Sequence, residues 1–486
     1  GGYEYDGKAY DAKHDHVPGY NTCIGCHNQH TLEIRVEQCA NCHQEVATVE
    51  DLKDVREKSS MRDYDGDGDV AEGMFYELQG LQEILYAQIQ AYAEEQGTPI
   101  SYDAATYPYF MGADGKAYTA WTPRLLKAAY NYQVSIKDPG AFAHGNKYIV
   151  ELLHDSIEDL GGNVSGLARD DAGHFAGNTE PFRHWDGEEE GNGTVPGSCA
   201  KCHSASGLPQ FIVEGTTIGN PASNGFQCST CHDEANWPER YQIASVTFPS
   251  GKAVSFATDA EGKPAADDSN LCILCHQGRE STSSVNKALG DKPEDTVDAA
   301  IRFRNIHYFA AGATLFGNDV QGAYQYTGKE YVGFNAAHPL NKCKDCHDVH
   351  ALEPKVEACA ACHGSAAPED IRFNTNTTDW DGDGNVTEGM KSEISTIADA
   401  LYTEIQAYAE KQGGPITYNA SAYPYWFGAD EKAYATWTPS LLKAAFNYQY
   451  VQKDPGNYVH NPKYVLQFLI DSIADLGGNV SAFTRP

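Results

Sequence analysis

Methionine is scarce, with four residues in a chain of 486. Positive charge is scarce as well: 35 lysines and arginines face 68 aspartates and glutamates, for a formal net charge of -33. That balance argues against nucleic acid or an anionic membrane surface as a partner and leaves basic proteins, cations and metal oxides or chelates. No apolar run approaches the roughly 18 residues of a membrane-spanning helix. There is no G-x-G-x-x-G, P-loop, G-x-S-x-G or H-E-x-x-H, so the familiar nucleotide, acyl-transfer and zinc-protease chemistries lack their residues. The opening GGYEYDG has neither a charged n-region nor an apolar h-region, the state expected after a signal peptide has been removed. No cysteine is left over for a lipid anchor or a disulfide framework, because all 14 fall into one motif.

That motif is Cys-x-x-Cys-His, present seven times. The copies are Cys23, Cys26 and His27; Cys39, Cys42 and His43; Cys199, Cys202 and His203; Cys228, Cys231 and His232; Cys272, Cys275 and His276; Cys343, Cys346 and His347; and Cys359, Cys362 and His363. It is the attachment signature of c-type haem. Two thiolates add across the porphyrin vinyl groups, and the adjacent histidine supplies the proximal iron ligand. A zinc ribbon needs two CxxC pairs for one metal and gives no reason for a histidine after every second cysteine. Seven haems imply about one per 70 residues, so porphyrin faces replace much of an ordinary apolar core. The expected fold class is a multihaem cytochrome c: loop-rich, with short α-helices and little β, wrapped around a haem array. The chain without haem should not fold, because attachment and folding are coupled.

With methionine scarce, bis-histidine ligation is the natural expectation. Eighteen histidines less the seven proximal ones leave eleven for seven distal positions. Nine are candidates: His16, His30, His144, His174, His184, His307, His338, His350 and His460. His30 and His350 follow a proximal histidine by three residues, a geometry that lets one strand serve two haems. His144 and His460 correspond in AHGNKY and VHNPKY. His16 corresponds to His338, with His14 as the rival of His16, and His154 is read as a plain helix histidine.

The first and last thirds are one unit written twice. GADGKAYTAWTPRLLKAAYNYQ matches GADEKAYATWTPSLLKAAFNYQ, both copies end DLGGNVS, and the repeats are read as about 15–167 and 337–484. The expected domains are 1–169 with two haems, 170–336 with three, and 337–486 with two. In each repeat one helix should present an apolar stripe, Phe75, Leu78, Leu81, Leu85, Ile89 and Tyr92 in the first and Ile394, Ile397, Leu401, Ile405 and Tyr408 in the second. Thr122-Pro123 and Thr438-Pro439 read as helix starts. A last helix should run from about Lys147 to Leu160 and stop at Gly161-Gly162. Short strands are expected around Gln210–Val213 and Tyr241–Phe256.

Between haem motifs and helix, each repeat carries an acidic loop. Asp63, Asp65, Asp67, Gly68 and Asp69, and in the second copy Asp379, Asp381, Asp383, Gly384 and Asn385, alternate as in an EF-hand. Met74 and Met390 occupy the twelfth position in place of glutamate, and Glu72 and Glu388 stand at the tenth. The spacing resembles the shortened excalibur-type calcium loop. Two Ca²⁺ ions are the expected occupants, clamping each haem pair to its helix.

The CxxCH set, the two CHxxH extensions and segments such as HNPKYVLQFLIDS and HYFAAGATLFG resemble the extracellular multihaem c-type cytochromes of metal-respiring microbes. The resemblance implies stacked haems forming an electron path, a secreted or cell-surface location (with the periplasm as alternative), and redox partner proteins or a mineral acceptor. It also implies head-to-tail self-association into filaments, in which a histidine near one subunit's N-terminus, here His14 or His16, can ligate a haem of the next. The expected function is electron transfer, as a filament or as a soluble shuttle. A multihaem reductase of nitrogen or sulfur oxyanions is the distant alternative, since no motif departs from histidine as proximal ligand.

Overall fold

The computed structural model describes every residue except 15, 18, 19, 172, 188–190, 308, 365, 366 and 373–376. The chain divides into two compact units: Gly1–Arg240 with Val349–Leu352, and Tyr241–Asp348 with Glu353–Pro486. The division falls inside the expected central segment. Among the described residues, regular structure is mostly helical, and the strands are two or three residues long, in two-stranded antiparallel pairs. Among the described residues, no helix is long and apolar enough to cross a membrane.

Each unit contains one copy of a three-helix bundle. In the first, α1 (Met74–Glu95), α2 (Pro123–Lys137) and α3 (Asn146–Asp159) pack pairwise. In the second, α4 (Met390–Lys411), α5 (Pro439–Gln452) and α6 (Pro462–Asp475) do the same. The stripe expected on α1 is buried at Leu78, Leu81, Leu85 and Ile89, with Phe75 and Tyr92 at its half-buried margins. On α4 all five stripe residues are buried. Burying a leucine or isoleucine side chain contributes about 1.5–3 kcal/mol, so these stripes hold the bundles together. Thr122 caps α2 by accepting from Leu125 N at 3.1 Å, and Thr438 caps α5 by accepting from Leu441 N at 3.1 Å. Helix α3 ends where Gly161 takes φ +85°, a value that only glycine adopts without strain.

The repeat begins earlier than the reading of 15–167 and 337–484. Residues 1–11 lie along the first bundle. Tyr3 N donates to Asn131 Oδ1, and Asn131 Nδ2 donates back to Tyr3 O at 2.9 Å. Tyr5 OH donates to Ser156 Oγ at 3.1 Å and Tyr10 OH to Asp155 Oδ2 at 2.7 Å. In the second unit Tyr324 exchanges the same pair of bonds with Asn447, Tyr326 OH donates to Ser472 Oγ at 3.1 Å, and Tyr331 OH to Asp471 Oδ2 at 2.7 Å. The segments correspond as YEYDGKAY and YQYTGKEY. This likeness was legible but sits outside the block marked by the haem motifs.

The two bundles differ in what covers α2 and α5. Residues 294–322 run over α5: Phe303 stacks on Trp437 at 5.7 Å, Ser440 N donates to Glu294 O at 3.1 Å, and Thr314 reaches Tyr450. Leu442 and Phe446 are consequently sealed. Their counterparts on α2, Leu126 and Tyr130, are 52% and 48% exposed.

One expectation fails. Gln210–Val213 is not a strand but part of the helix Gly207–Glu214, which packs on the haem-motif helix Gly197–His203 and ends at Gly215 in the left-handed region. A short apolar run does not distinguish the two periods by itself; the adjoining helix decides. The stretch Tyr241–Phe256 does contain the paired strands Val246–Thr247 and Ala253–Val254.

Candidate haem and metal sites

Each CxxCH motif is wound as a single turn. The histidine N donates to the carbonyl of the first cysteine in His27 (2.8 Å), His43 (2.9 Å), His232 (2.9 Å), His276 (3.0 Å) and His347 (2.9 Å). His203 and His363 close the helices Gly197–His203 and Val356–His363. A turn of this kind brings positions 1, 4 and 5 to one side, which a porphyrin bonded twice and ligated once requires. All 14 cysteines are free of disulfides. Among the described residues none of them joins a cluster able to hold a metal ion, contrary to what a zinc ribbon requires.

The seven turns are not equivalent at their second cysteine. Cys26, Cys231, Cys275 and Cys346 are the last residues of their helices, and Cys202 and Cys362 lie inside theirs. Cys42 does not fit that pattern. Its helix, Val36–Cys39, stops at the first cysteine, and Cys42 stands in the turn beyond, with its N donating to Cys39 O at 3.1 Å. His43 N nonetheless closes this motif on Cys39 O as in the others. Exposure differs too: Cys42 and Cys362 are exposed, whereas Cys202, Cys231 and Cys275 are half-buried.

Sulfurs of different motifs come close enough to act on one another. Cys39 senses Cys26, Cys228 senses Cys42, Cys346 senses Cys359, and Cys343 is hydrogen-bonded to Cys272. Burial raises the thiol pKa of Cys26, Cys39, Cys228 and Cys346. The attachment points of each unit therefore lie side by side.

Several proximal imidazoles are oriented from behind. Nδ1 of His27 donates to Leu32 O (3.3 Å), of His203 to Pro181 O (3.1 Å), of His232 to Pro238 O (2.7 Å) and of His276 to Phe309 O (2.8 Å). A carbonyl only accepts, so the proton is on Nδ1 and the lone pair on Nε2, the tautomer a metal takes. Candidate distal histidines are held alike. Nδ1 of His144 faces Asp138 Oδ2 at 2.9 Å, of His460 Asp454 Oδ1 at 2.9 Å, of His184 Glu180 Oε1 at 2.7 Å, and of His338 Leu340 O at 2.5 Å. The two aspartates belong to the Asp-Pro-Gly breaks after α2 and α5. Each of these breaks therefore also carries the histidine's acceptor.

Imidazoles from distant positions meet in pairs. Ring centroids lie 6.3 Å apart for His27 and His144, 6.3 Å for His43 and His16, 6.3 Å for His232 and His350, and 6.5 Å for His363 and His338. Two imidazoles each about 2 Å from one metal have centroids roughly 6 Å apart, so these pairs fit an iron between them. The His232–His350 rings are parallel to within 2°. His276 senses the charges of His460 and Asp454, which places those groups beside it. Burial lowers the pKa of His16, His43 and His276, favouring the neutral form that binds metal. Burial also works to lower His460, but the charge and hydrogen bond of Asp454 outweigh it and raise that pKa.

The remaining candidates are placed as follows. His14 sits 6.4 Å from His16, on the flank of the His16–His43 pair. His30 is exposed. His184 is half-exposed with its ring edge-on to Trp185. His174 packs on Phe226 at 5.1 Å, and His307 sits at φ +73°. His154 is buried in α3.

Both acidic loops fold back on their own backbone. Asp63 accepts from Gly66 N (2.6 Å) and Gly68 N (2.8 Å), Asp65 from Asp67 N (3.1 Å), and Asp67 from Asp69 N (2.7 Å). Asp379, Asp381 and Asp383 repeat the pattern. Carboxylate oxygens of Asp63, Asp65 and Glu77 converge within 4.8 Å of one another, as do those of Asp65, Asp67 and Glu72. The second loop matches, with Asp379, Asp381 and Glu393, and with Asp381, Asp383 and Glu388. Asp69 stays outside these clusters. Glu77 and Glu393, in the first turns of α1 and α4, were not expected. Their signal was an acid kept at the same place in both copies, three residues after each methionine.

Oxygen donors in this number suit a hard cation. Glu72 Oε1, Asp381 Oδ2 and Glu388 Oε1 are buried and have no hydrogen-bond partner among the described residues. Asp381 as a whole is only 4% exposed. Burial, followed by repulsion from Glu77 and the loop aspartates, pushes Asp65 up to about 6 and Glu72 up to about 7. A divalent cation would satisfy those oxygens and relieve that repulsion.

Among curated proteins, the chain is similar to the C-type polyheme cytochrome OmcB of Geobacter sulfurreducens, 27% identical over 341 residues, covering 57% of this chain and 43% of that protein. It is also similar to the C-type polyheme cytochrome OmcC of the same species, 25% identical over 414 residues, covering 72% of this chain and 51% of that protein. The chain thus spans about half the length of the curated relatives it matches. No family model matches it, and no solved structure is similar.

Proposed function

We propose that this chain carries electrons through seven covalently attached c-type haems with paired histidine ligands. Cys26, Cys42, Cys202, Cys231, Cys275, Cys346 and Cys362 would each form the second thioether bond of their motif. The observation that supports this most directly is the set of facing imidazoles near 6.3 Å, each joining a CxxCH histidine to one far away in sequence. His276 with His460 is the next assignment, resting on their electrostatic contact. Bound haem supplies one-electron chemistry at iron. The protein's residues hold the two axial nitrogens, fix their tautomers and exclude water. The seven motifs would group as two, three and two along 1–169, 170–336 and 337–486. Measuring haem per polypeptide by the pyridine haemochrome, together with low-temperature EPR, tests the reading. Seven haems with low-spin spectra are expected; fewer haems, or several high-spin irons, would refute it.

We further propose a secreted or cell-surface location, with copies associating head to tail so that electrons pass from one to the next toward a redox protein or mineral. The resemblance to extracellular multihaem cytochromes is the ground for this. His16 faces His43 of its own chain, an arrangement that needs no exchange of His16 between subunits. Light scattering and electron microscopy of the secreted protein distinguish a filament from a soluble shuttle. A carrier is preferred to a reductase because histidine stands at the proximal position in all seven motifs.

Each acidic loop would hold one Ca²⁺, with Asp63, Asp65, Asp67, Glu72 and Glu77 as donors in the first and Asp379, Asp381, Asp383, Glu388 and Glu393 in the second. The ion would neutralise the loop and fasten the haem-bearing segment to its bundle. Equilibrium dialysis should find two sites per chain.

A further inference from the structure

Helix α5 shows what a polypeptide must bring to cover this helix sequence. Glu294 makes the first contact twice over: its carbonyl accepts from Ser440 N at 3.1 Å, and its Oε2 accepts from Lys443 Nζ at 2.6 Å. Asp295 Oδ1 accepts from Tyr408 OH at 2.8 Å, and Asp298 N donates to Trp437 O at 3.0 Å. Phe303 then stacks on Trp437, and Ile306 N donates to Gln449 Oε1 at 3.3 Å. Under this cover the Lys443 side chain is 7% exposed. A charge so buried needs a partner, so the covering strand has to be acidic where it crosses the lysine and apolar beyond it.

Helix α2 and its surroundings keep the residues that make those contacts. Trp121, Leu126, Lys127 and Gln133 repeat Trp437, Leu442, Lys443 and Gln449, and Tyr92 repeats Tyr408. Lys127 lies over Tyr3 at 4.6 Å, as Lys443 lies over Tyr324 at 5.3 Å. Yet Pro123, Arg124, Leu126 and Tyr130 are exposed, and Trp121, Lys127, Gln133 and Val134 are only half-buried. Spaced three and four apart, Pro123, Leu126, Tyr130 and Val134 form one apolar stripe. Its margin carries Lys127, Lys137 and Arg124, the last 3.5 Å from Asp159.

We propose that this face of α2 is where a second copy of the chain docks, its acidic surface meeting the basic margin and its apolar residues the stripe. The proposal rests on the head-to-tail association proposed above and gives that association its contact surface. Charge complementarity favours a second copy as the occupant: the chain carries a formal net charge of -33, and the margin of the α2 stripe is basic. The face covered on α5 is the precedent, since the strand that seals it is this chain's own polypeptide and sets a glutamate on the lysine. Two α2 faces do not suit each other, because Arg124, Lys127 and Lys137 would meet their own kind. The contact is therefore heterologous, and a contact of that type repeats from copy to copy in a ring or a filament. In dilute monomer the face stays open to water.

The test uses the haem-loaded full chain. Sedimentation velocity over a range of protein and salt concentrations reads association, and hydroxyl-radical footprinting reads Tyr130. Expected are association that weakens with salt, and a Tyr130 that is reactive in dilute protein and protected on assembly, with Phe446 protected throughout. Leu126→Glu and Lys127→Glu should each weaken association about tenfold or more while the haem spectrum stays that of the parent. Tyr423→Glu, at a tyrosine of the other repeat that is equally open to water, should leave association unchanged. Association unchanged in both α2 variants, with Tyr130 still reactive, would overturn this surface and leave self-association standing. Tyr130 protected at every dilution would mean that the chain covers α2 itself, and would overturn the docking as well. A parent that stays monomeric at all concentrations would overturn the docking and the association together.

Discussion

Asp454→Asn is the perturbation that best exposes how the protein tunes a haem. The Asp454 side chain is 1% exposed, and its two oxygens lie 2.9 and 3.0 Å from Nδ1 of His460. A carboxylate there makes Nε2 a stronger donor and stabilises ferric over ferrous iron. Losing such a partner typically weakens a metal–histidine site 10- to 100-fold, about 1.4–2.8 kcal/mol. If that loss falls on the ferric state, at 59 mV per tenfold the potential of that haem rises by about 60–120 mV. The repeat provides the control. Asp138 makes the same contact to His144 at 2.9 Å, but its side chain is 41% exposed and that of His144 57%. Water screens that pair and can replace the lost acceptor, so Asp138→Asn should move its haem several-fold less. Spectroelectrochemical titration of both variants decides. A downward shift in Asp454→Asn, or equal shifts in the two variants, would refute the reasoning.

Three further outcomes follow from the same geometry. His16→Ala should convert one haem to a five-coordinate, high-spin form that binds CO, whereas His14→Ala should leave the EPR spectrum essentially unchanged. In calcium-free protein, burial and neighbouring carboxylates raise Asp65 to about 6 and Glu72 to about 7. A carboxyl whose folded pKa is raised binds its proton more tightly than the unfolded chain does, so first-repeat stability should fall as pH rises from about 4.5 to about 7 and level off above. Calcium affinity should rise through the same window, as followed by thermal melts with and without the ion. Leu401→Ala, in the sealed core of the second bundle, should destabilise it by about 2–5 kcal/mol, whereas Leu126→Ala should stay within about 0.5 kcal/mol. Denaturant midpoints read by circular dichroism measure both, and equal costs would show that the exposed face of α2 is covered in solution.

Much of the local structure was legible because its signals are local. The CxxCH spacing dictates a single turn with two sulfurs and one imidazole on one side, and threonine before proline marks the starts of α2 and α5. Alternating aspartates around glycines dictate a loop turned on its own amides. What the spacing did not record is how each turn is continued: Cys362 stays in a helix that began upstream, whereas Cys42 has already left its own. The distal partners were legible only as a surplus of histidines, because a pair such as His232 and His350 is separated by 118 positions. Glu77 and Glu393 lie only five residues beyond Glu72 and Glu388, and it is the helix start at Met74 and Met390 that folds them back onto the loops. Gln210–Val213 was misread because four apolar-leaning residues fit either period.

The amino-acid sequence by itself determined seven Cys-x-x-Cys-His turns, two acidic loops and one helical module used twice, since each is written in residues that lie within a turn or two of one another. Only the tertiary structure decided which histidine faces which, and how differently the two copies of the module are used. LLKAAYNYQ and LLKAAFNYQ form the same helix, yet Leu442 is sealed beneath residues 294–322 while Leu126 meets water. The apolar stripe that makes a helix is a property of its own residues. What covers the opposite face depends on which distant segment is brought there, and no local period records that.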